Sequence, residues 1–199
     1  MSVVIHEVAH GYMALYFGDK TAKNLGRLTL NPIPHLDMFG SILLPFLLVI
    51  TNAPFLIGWA KPVPYNPDNL RDQKKGTLAV ASAGIIVNLI LAIFFGLSLR
   101  FILPYFPNED FIFITSTIVL INLALALFNL TPIPPLDGSK ILLTLLPASF
   151  YKIANFIEDY ALFLFLIFVF FFSDYLYPLL ALLFNIITGC SITPGGLVC

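Results

Sequence analysis

Three long apolar runs constrain most strongly what this chain can fold into. They read TLAVASAGIIVNLILAIFFGLSL (77–99), FIFITSTIVLINLALALFNL (111–130) and ALFLFLIFVFFF (161–172), and the last run continues past Asp174. Apolar runs of about 20 residues are long enough to cross the hydrocarbon core of a bilayer as helices. Only 11% of the 199 residues are charged, whereas a typical soluble domain carries about 25%. The sequence therefore predicts an all-α integral membrane protein that crosses the membrane several times.

Polar connections and proline-rich breaks separate the apolar segments. RLTL (27–30) in the first connection is typical of a short strand. No internal repeat or low-complexity linker is visible, so we predict a single domain, residues 1–199. The net charge of −1 and the lack of a basic block argue against a nucleic-acid partner. The predicted apolar segments are about 1–17, 38–57, 77–103, 110–130, a short amphipathic piece at 139–152, and a stretch at about 156–187 that we expect to tilt or to break near Pro178.

Lysine and arginine are concentrated in the connections 18–37 and 58–76, which predicts that both connections face the cytoplasm. Segment 38–57 must then enter and leave the membrane on the same side, as a re-entrant hairpin. Its two prolines, Pro45 and Pro54, and its Asn52 favour the irregular backbone that such a hairpin needs. The alternative is a simple spanning helix of about 20 residues, which would place one basic connection outside.

The two cysteines, Cys190 and Cys199, both lie in the C-terminal tail. They form neither a C-x-x-C motif nor a disulfide framework. We therefore favour two free thiols over a disulfide in the tail.

The first apolar segment contains His6-Glu7-Val8-Ala9-His10, which has the form H-E-x-x-H. In a helix, residues i and i+4 lie on one face, so both imidazoles can reach one ion. Glu7 is offset by one residue and can face a water bound to that ion. Two ligands and one general base are the arrangement that zinc hydrolases use. A bound metal would also explain three ionisable groups in an apolar helix, where each costs about 2.5–3.5 kcal/mol.

A catalytic zinc takes three protein ligands, so a third one is needed. His35 is a candidate, although packing within its own loop is the favoured interpretation. Asp137 is the other candidate. It lies in NLTPIPPLDGSKILL (129–143), where prolines hold the backbone out of a helix and Gly138 allows a sharp turn. An N-cap for the following helix explains Asp137 about as well, and the residues alone leave both roles open.

These motifs resemble the site-2 protease family of intramembrane zinc metalloproteases, in its compact prokaryotic branch. H-E-x-x-H on a membrane helix is followed about 120 residues later by NLTPIPPLDG (129–138), which matches the family motif N-x-x-P-x-P-x-L-D-G. AGIIVN (83–88) is similar to the family's G-x-x-x-N element. GRLTLNPIPHLDMFG (26–40) and GWAKPVPYNP (58–67) extend the resemblance over nearly the whole chain.

The resemblance implies one Zn²⁺ per chain, held by His6, His10 and Asp137, with Glu7 as the catalytic base. It also implies a three-helix catalytic core, formed by the histidine-bearing helix and the helices at 77–103 and 110–130. The implied activity is hydrolysis of transmembrane protein or peptide substrates within the lipid bilayer, in a prokaryotic cell membrane.

The chain departs from the family pattern in three places. Only five residues precede His6, so we expect the N-terminus to be truncated. Ile85 stands where the family often has proline, and Ser139 where it often has a second glycine. Neither substitution removes a metal ligand or the base.

Two asparagines are candidates for a hydrogen bond to the oxyanion or the substrate. A contact between helices explains Asn88 equally well and is the favoured role of Asn129. Residues 26–30 and 60–65 are candidates to hold an extended substrate by β-augmentation. The alternative function is a metal-binding membrane protein without catalysis, either a scaffold or a transporter. The two matching halves of a transporter are not visible, and the sequence does not indicate the substrate or the oligomeric state.

Overall fold

The structure, a computed structural model, describes residues 1–52, 58–105, 107–172, 175–193 and 196–199. Its contacts divide the chain into two units. The first consists of Met1 and Val3–Gly84, and the second of Ser2 and Ile85–Cys199. The prediction of a single domain stays a prediction.

The first unit is built on one apolar helix and the polar connections that follow it. Helix α1 (Ser2–Tyr16) is followed by the short helix α2 (Thr21–Asn24) and a 3₁₀ turn at Ile33–His35. A π-helical stretch at Met38–Leu43 then continues into α3 (Leu44–Ile50). After an irregular connection, α4 (Gln73–Ile102) begins in this unit and ends in the second. The core of the unit contains Ala14, Leu70 and Val80, with Met13, Phe17 and Tyr65 packed against them.

Segment 38–57 returns to the level at which it starts, as the hairpin prediction requires. Met38–Ile50 is 13 residues long, or about 20 Å, which is shorter than a hydrocarbon core of about 30 Å. The backbone N–H of Trp59 donates to the carbonyl of Gly40 at 3.2 Å, and the Ser41 hydroxyl donates to the Trp59 carbonyl at 2.7 Å. A single helix across 38–57 is therefore wrong for the described residues. Pro54 lies outside them.

The strand predicted at residues 27–30 does not form. These residues have no regular secondary structure, and neither do residues 58–66 beside them. The Arg27 side chain donates to the carbonyls of Lys61 and Pro62 instead. Pro62 and Pro64 have no N–H to donate, which disfavours a regular ladder between these two stretches.

The second unit is helical apart from one small hairpin. α5 (Glu109–Leu130) is capped by Asn108, whose side chain accepts the N–H of Phe111 at 2.9 Å. The core contains Ala92, Leu99, Val119, Leu123, Phe184 and Cys190. The elements that follow α5 are α6 (Asp137–Leu145), α7 (Tyr151–Asp159), α8 (Ala161–Ile167) with a π-helical continuation at Phe168–Phe172, α9 (Leu176–Thr188), and the antiparallel strands β1 (Ser191–Thr193) and β2 (Gly196–Val198).

The prediction of an all-α membrane protein is confirmed. Among the described residues, α4 and α5 are long and apolar enough to cross a bilayer, with 30 and 22 residues. The bent pair Lys152–Asp159 and Ala161–Phe172 makes a third span if it is counted as one.

The stretch at about 156–187, which we expected to tilt or to break near Pro178, forms several helical pieces among the described residues. It bends by 70° between α7 and α8, next to Tyr160. Pro178 lies instead in the first turn of α9, where its missing N–H costs no helical hydrogen bond.

The prediction of two free thiols is wrong, because Cys190 and Cys199 form a disulfide. The hairpin of β1 and β2 pairs Ser191 with Val198, which places the residues on either side of that pair next to each other. A two-stranded hairpin in the tail was not apparent from the sequence.

Candidate metal centre

Two buried histidines of α1 bring a nitrogen each to the same point. Nε2 of His6 and Nε2 of His10 lie 3.0 Å apart, and the ring centroids are 4.6 Å apart in an edge-to-face arrangement. The side chains are 4% and 7% exposed. One helical turn separates the two residues, so this proximity follows directly from their i, i+4 spacing. The prediction that both imidazoles can reach one ion is consistent with this geometry.

A main-chain carbonyl orients one ring of the pair. Nδ1 of His10 lies 2.7 Å from the carbonyl oxygen of Val80 in α4. Since a carbonyl only accepts, Nδ1 is the donor, which in the neutral ring leaves the lone pair on Nε2. Metal-binding histidines commonly make this bond, which fixes both the tautomer and the ring orientation. The ring of His10 is therefore held in the form that a metal requires.

The histidine pair depends on a glycine of α4 for its space. A Cβ at Gly84 would lie 2.5 Å from Cε1 of His6 and 2.6 Å from Nε2 of His10. Two nitrogens bound to a tetrahedral zinc at about 2.0–2.1 Å lie about 3.3 Å apart, close to the 3.0 Å observed. The two rings and the room beside them therefore fit a zinc ion.

The carboxylate of Glu7 lies on the neighbouring face of α1 and has a main-chain partner. Its Oε2 accepts the N–H of Val63 at 2.8 Å. Val63 is 5% exposed, whereas Glu7 is half-buried. Because Glu7 is rotated by about 100° from His6 around the helix, it does not compete with the histidines for the same position. The structure thus separates the candidate base from the candidate ligands.

We call residues 58–71 the strap. This segment is irregular apart from a 3₁₀ turn at Pro67–Asn69 and is tied along its length to other parts of the first unit. The N–H of Lys61 donates to the His35 carbonyl at 2.8 Å, and the N–H of Arg71 donates to the Phe17 carbonyl at 2.8 Å. Between these points the strap is bonded to Glu7, as described above, and to Asp19.

Asp19 is the hydrogen-bond centre that joins the strap to the end of α1. Its carboxylate accepts the N–H and the hydroxyl of Thr21, the N–H of Asn66 and the side-chain amide of Asn69. Burial raises the pKa of Asp19, but these hydrogen bonds outweigh it, so the pKa lies below its ordinary value of 3.8. The strap is therefore held by a group that stays ionised at neutral pH.

His35 is buried in its own loop. Its Nε2 lies 2.9 Å from the carbonyl oxygen of Thr29, and its backbone carbonyl accepts the backbone N–H of Lys61 in the strap. This agrees with the packing role that the sequence favoured over a ligand role.

Asp137 lies in the second unit, at the first turn of α6. The N-cap position of that helix is Leu136, so Asp137 is not the N-cap residue that the alternative interpretation required. Its carboxylate is buried and lies 3.2 Å from the ammonium group of Lys140. A Cβ at Gly138 would collide with the carbonyl oxygens of Leu130 and Thr131, so the sharp turn requires glycine there.

Comparison with known proteins agrees with these motifs. Residues 105–172 match the description "Peptidase family M50". The chain is 40% identical over 174 residues to "Putative zinc metalloprotease YwhC" of Bacillus subtilis, covering 84% of this chain and 75% of that protein. It is also 30% identical over 140 residues to "Putative zinc metalloprotease Rip2" of Mycolicibacterium smegmatis, covering 69% of this chain and 51% of that protein.

The chain belongs to peptidase family M50, the site-2 proteases. This family consists of zinc metalloproteases, and the long apolar helices make this member a multi-pass membrane protein. No solved structure matches the chain.

Two asparagines of this M50 protein have no assigned role. Asn88 is fully buried in α4, in the second unit. The side-chain amide of Asn129 donates to the carbonyl of Leu125, one turn back in α5, at 3.0 Å. That bond agrees with a structural role for Asn129, and a contact of either asparagine with substrate stays a prediction.

Sequence reasoning missed the main-chain groups that orient the candidate site of this M50 protein. The carbonyl of Val80 and the N–H of Val63 lie 70 and 56 residues away from their partners. Every non-proline residue carries both groups, so no residue pattern marks these two. The sequence does show that Pro62 and Pro64 lack an N–H, which leaves Val63 as the donor between them. It does not show that Glu7 is the acceptor.

Proposed function

We propose that this chain is an intramembrane zinc metalloprotease that hydrolyses peptide bonds of transmembrane proteins within the bilayer. The observation that carries the proposal is the histidine pair of α1, with two Nε2 atoms 3.0 Å apart and one ring fixed by the Val80 carbonyl. Membership of peptidase family M50 supports the same chemistry.

The proposed ligands of one zinc ion are His6, His10 and Asp137. Each is buried and offers one ligand atom. Two imidazoles and one carboxylate form a typical catalytic zinc set, which leaves a fourth position for water or substrate. When bound, the ion supplies Lewis acidity, which polarises a carbonyl and makes a water more acidic.

Glu7 is the proposed general base. Its carboxylate accepts a proton from the attacking water and then transfers it to the nitrogen of the leaving amine, so that it ends in its starting form. Asn88 and Asn129 are the candidate donors to the oxyanion, and the amide of Asn129 also donates to the Leu125 carbonyl within its own helix. Such a donor lowers the free-energy barrier of the reaction by about 2.7–4 kcal/mol.

The bilayer limits which substrates the enzyme can take. A peptide bond inside a helix is hidden, because its carbonyl is bonded internally, so the substrate must be locally unwound before attack. We place the enzyme in a prokaryotic cell membrane, where it would take part in regulated intramembrane proteolysis, with both basic connections on the cytoplasmic side.

The test compares wild type with Glu7→Gln, using the purified full chain and a tagged single-span membrane protein, with and without a zinc chelator. We expect Glu7→Gln to keep its zinc, measured by elemental analysis, and to lose cleavage by at least about 100-fold. If both forms bind zinc and neither cleaves, the non-catalytic metal-binding alternative replaces the proposal. If both cleave equally, Glu7 is not the general base.

A further inference from the structure

We infer that the main-chain N–H of Val63 is a positioning group, which holds the carboxylate of Glu7 in the orientation needed for proton transfer. This inference rests on the proposed function, in which Glu7 is the base. The bond is 2.8 Å long and joins the strap to α1 across 56 residues of sequence. A hydrogen bond to a charged acceptor is about twice as strong as one between neutral groups.

The sequence around Val63 leaves this N–H isolated. Pro62 and Pro64 carry no N–H. Val63 therefore supplies the only amide donor of the Pro-Val-Pro stretch, and that donor is given to Glu7. The stretch is therefore suited to present a single donor.

The peptide unit between Pro62 and Val63 is held at both ends. Its carbonyl, on Pro62, accepts Nη2 of Arg27 at 3.3 Å, and Nη2 also reaches the Lys61 carbonyl at 3.0 Å. Its N–H, on Val63, donates to Glu7. A cation thus lies at the negative end of the peptide dipole and an anion at the positive end. This arrangement fixes the plane of the peptide as well as its position.

The side chain of Val63 packs on the same face of α1 that carries Glu7. Gly11 lies one turn after Glu7, and a Cβ at Gly11 would lie 2.8 Å from Cγ1 of Val63. The close approach keeps the strap against the helix, while the Lys61 and Asn66 bonds hold it on either side. Oε2 of Glu7 is thereby engaged, and Oε1 is the oxygen left to accept and release the proton.

The first experiment measures the contact without any catalysis. Hydrogen–deuterium exchange of the full chain in detergent is compared for wild type, Glu7→Gln and Glu7→Ala, in a peptide that contains residues 61–66. We expect the Val63 amide to exchange at least about tenfold faster in Glu7→Ala, and less so in Glu7→Gln, which keeps an acceptor oxygen. The amides of Lys61 and Asn66, bonded elsewhere, are internal controls. Equal exchange of the Val63 amide in all three proteins would overturn the inference.

The second experiment removes the N–H itself. Val63→Pro deletes the donor, Val63→Ala keeps it, and Lys61→Pro deletes a strap N–H that bonds to His35 rather than to Glu7. We expect Val63→Pro to lower kcat by about 10- to 100-fold with KM and zinc content near wild type, because a misplaced catalytic group can cost about 100-fold. The alanine variant should restore kcat, and Lys61→Pro should change only thermal stability.

These outcomes separate the inference from the proposed function. If wild type cleaves and Val63→Pro cleaves as fast as Val63→Ala, Val63 is not a positioning residue although the enzyme is a protease. If wild type does not cleave, the proposed function fails, while the exchange experiment still tests the contact. If Val63→Pro does not fold, the exchange experiment decides the inference by itself.

Discussion

Gly84→Ala tests the histidine pair by adding a single methyl group beside it. The new Cβ would lie 2.5 Å from Cε1 of His6 and 2.6 Å from Nε2 of His10. Ordinary contacts begin at 3.4 Å, so the rings must move by roughly 0.9 Å. Distances between a metal and its ligands tolerate only about ±0.2 Å. The shift therefore exceeds what a bound zinc accepts.

The cost to folding should be smaller than the cost to metal binding. Forcing a methyl into a packed site costs about 1–3 kcal/mol, and replacing glycine with alanine in a helix returns about 0.8–1.0 kcal/mol. The net loss of stability is about 0–2 kcal/mol. We expect zinc affinity to fall by about 10- to 100-fold, the range found when groups that orient metal ligands are removed.

The assay is competition for zinc with a chromophoric chelator, on purified protein in detergent, beside a thermal unfolding curve. Gly76→Ala is the matched control, since it makes the same change in the same helix but meets only the side chain of Leu70. The reasoning is refuted if Gly84→Ala binds zinc as tightly as wild type. It is also refuted if both variants lose affinity equally, because the effect would then belong to the helix as a whole.

Three further predictions concern the rest of the chain. Asp137→Ala should lose most of its zinc in elemental analysis, and full occupancy would show that Asp137 is not a ligand. Because the pKa of Asp19 is lowered in the folded protein, its stabilisation is complete above 3.8 and is lost as the pH falls below that value. Thermal unfolding should therefore show an acid-dependent loss in wild type that Asp19→Asn lacks. Cysteines placed at Lys23 and Lys74 should both resist membrane-impermeant labelling of intact cells from outside, and labelling at one would contradict the shared cytoplasmic side.

The apolar helices could be predicted because a bilayer leaves few alternatives. Backbone groups in the hydrocarbon region must bond within their own segment, so a long apolar run becomes a helix. The prediction of 77–103 and 110–130 accordingly agrees with Gln73–Ile102 and Glu109–Leu130. The prediction of a hairpin at 38–57 came from charge, since two basic connections on one side require a segment that returns. The bond between Trp59 and Gly40 agrees with it.

The errors occurred where contacts distant in sequence decide the structure. Residues 27–30 have the composition of a strand, but their neighbour is the strap, in which Pro62 and Pro64 lack an N–H and the side chain of Arg27 bonds to the carbonyls. The 70° bend next to Tyr160 was not predicted, since no proline or glycine marks that position. The disulfide depended on a hairpin that brings Cys190 and Cys199 together, and two cysteines alone do not reveal that hairpin.

The candidate site also has a part that the sequence predicts and a part that it does not. His6, Glu7 and His10 could be found because the geometry that joins them is local to one helix. The groups that orient them are a carbonyl and an N–H from other elements, which the sequence does not mark. The residue types thus predict the chemistry, whereas the precision of the site comes from main-chain atoms.

The spacing of the H-E-x-x-H motif also matches the contacts that α1 makes with α4 and with the strap. His6 and His10 face Val80 and Gly84 of α4, which are also one turn apart. Glu7 and Gly11 are again one turn apart, and both meet Val63 of the strap. The stretch H-E-x-x-H-G is therefore two interleaved i, i+4 pairs on adjacent faces of one helix. One pair places the two candidate ligands against Val80 and Gly84 of α4, and the other places the candidate base against the proline-flanked amide of Val63. If α4 moved along α1, His6 and His10 would lose their contacts, and if the strap moved, Glu7 would lose its contact. Both α4 and the strap must therefore stay packed on the same part of α1.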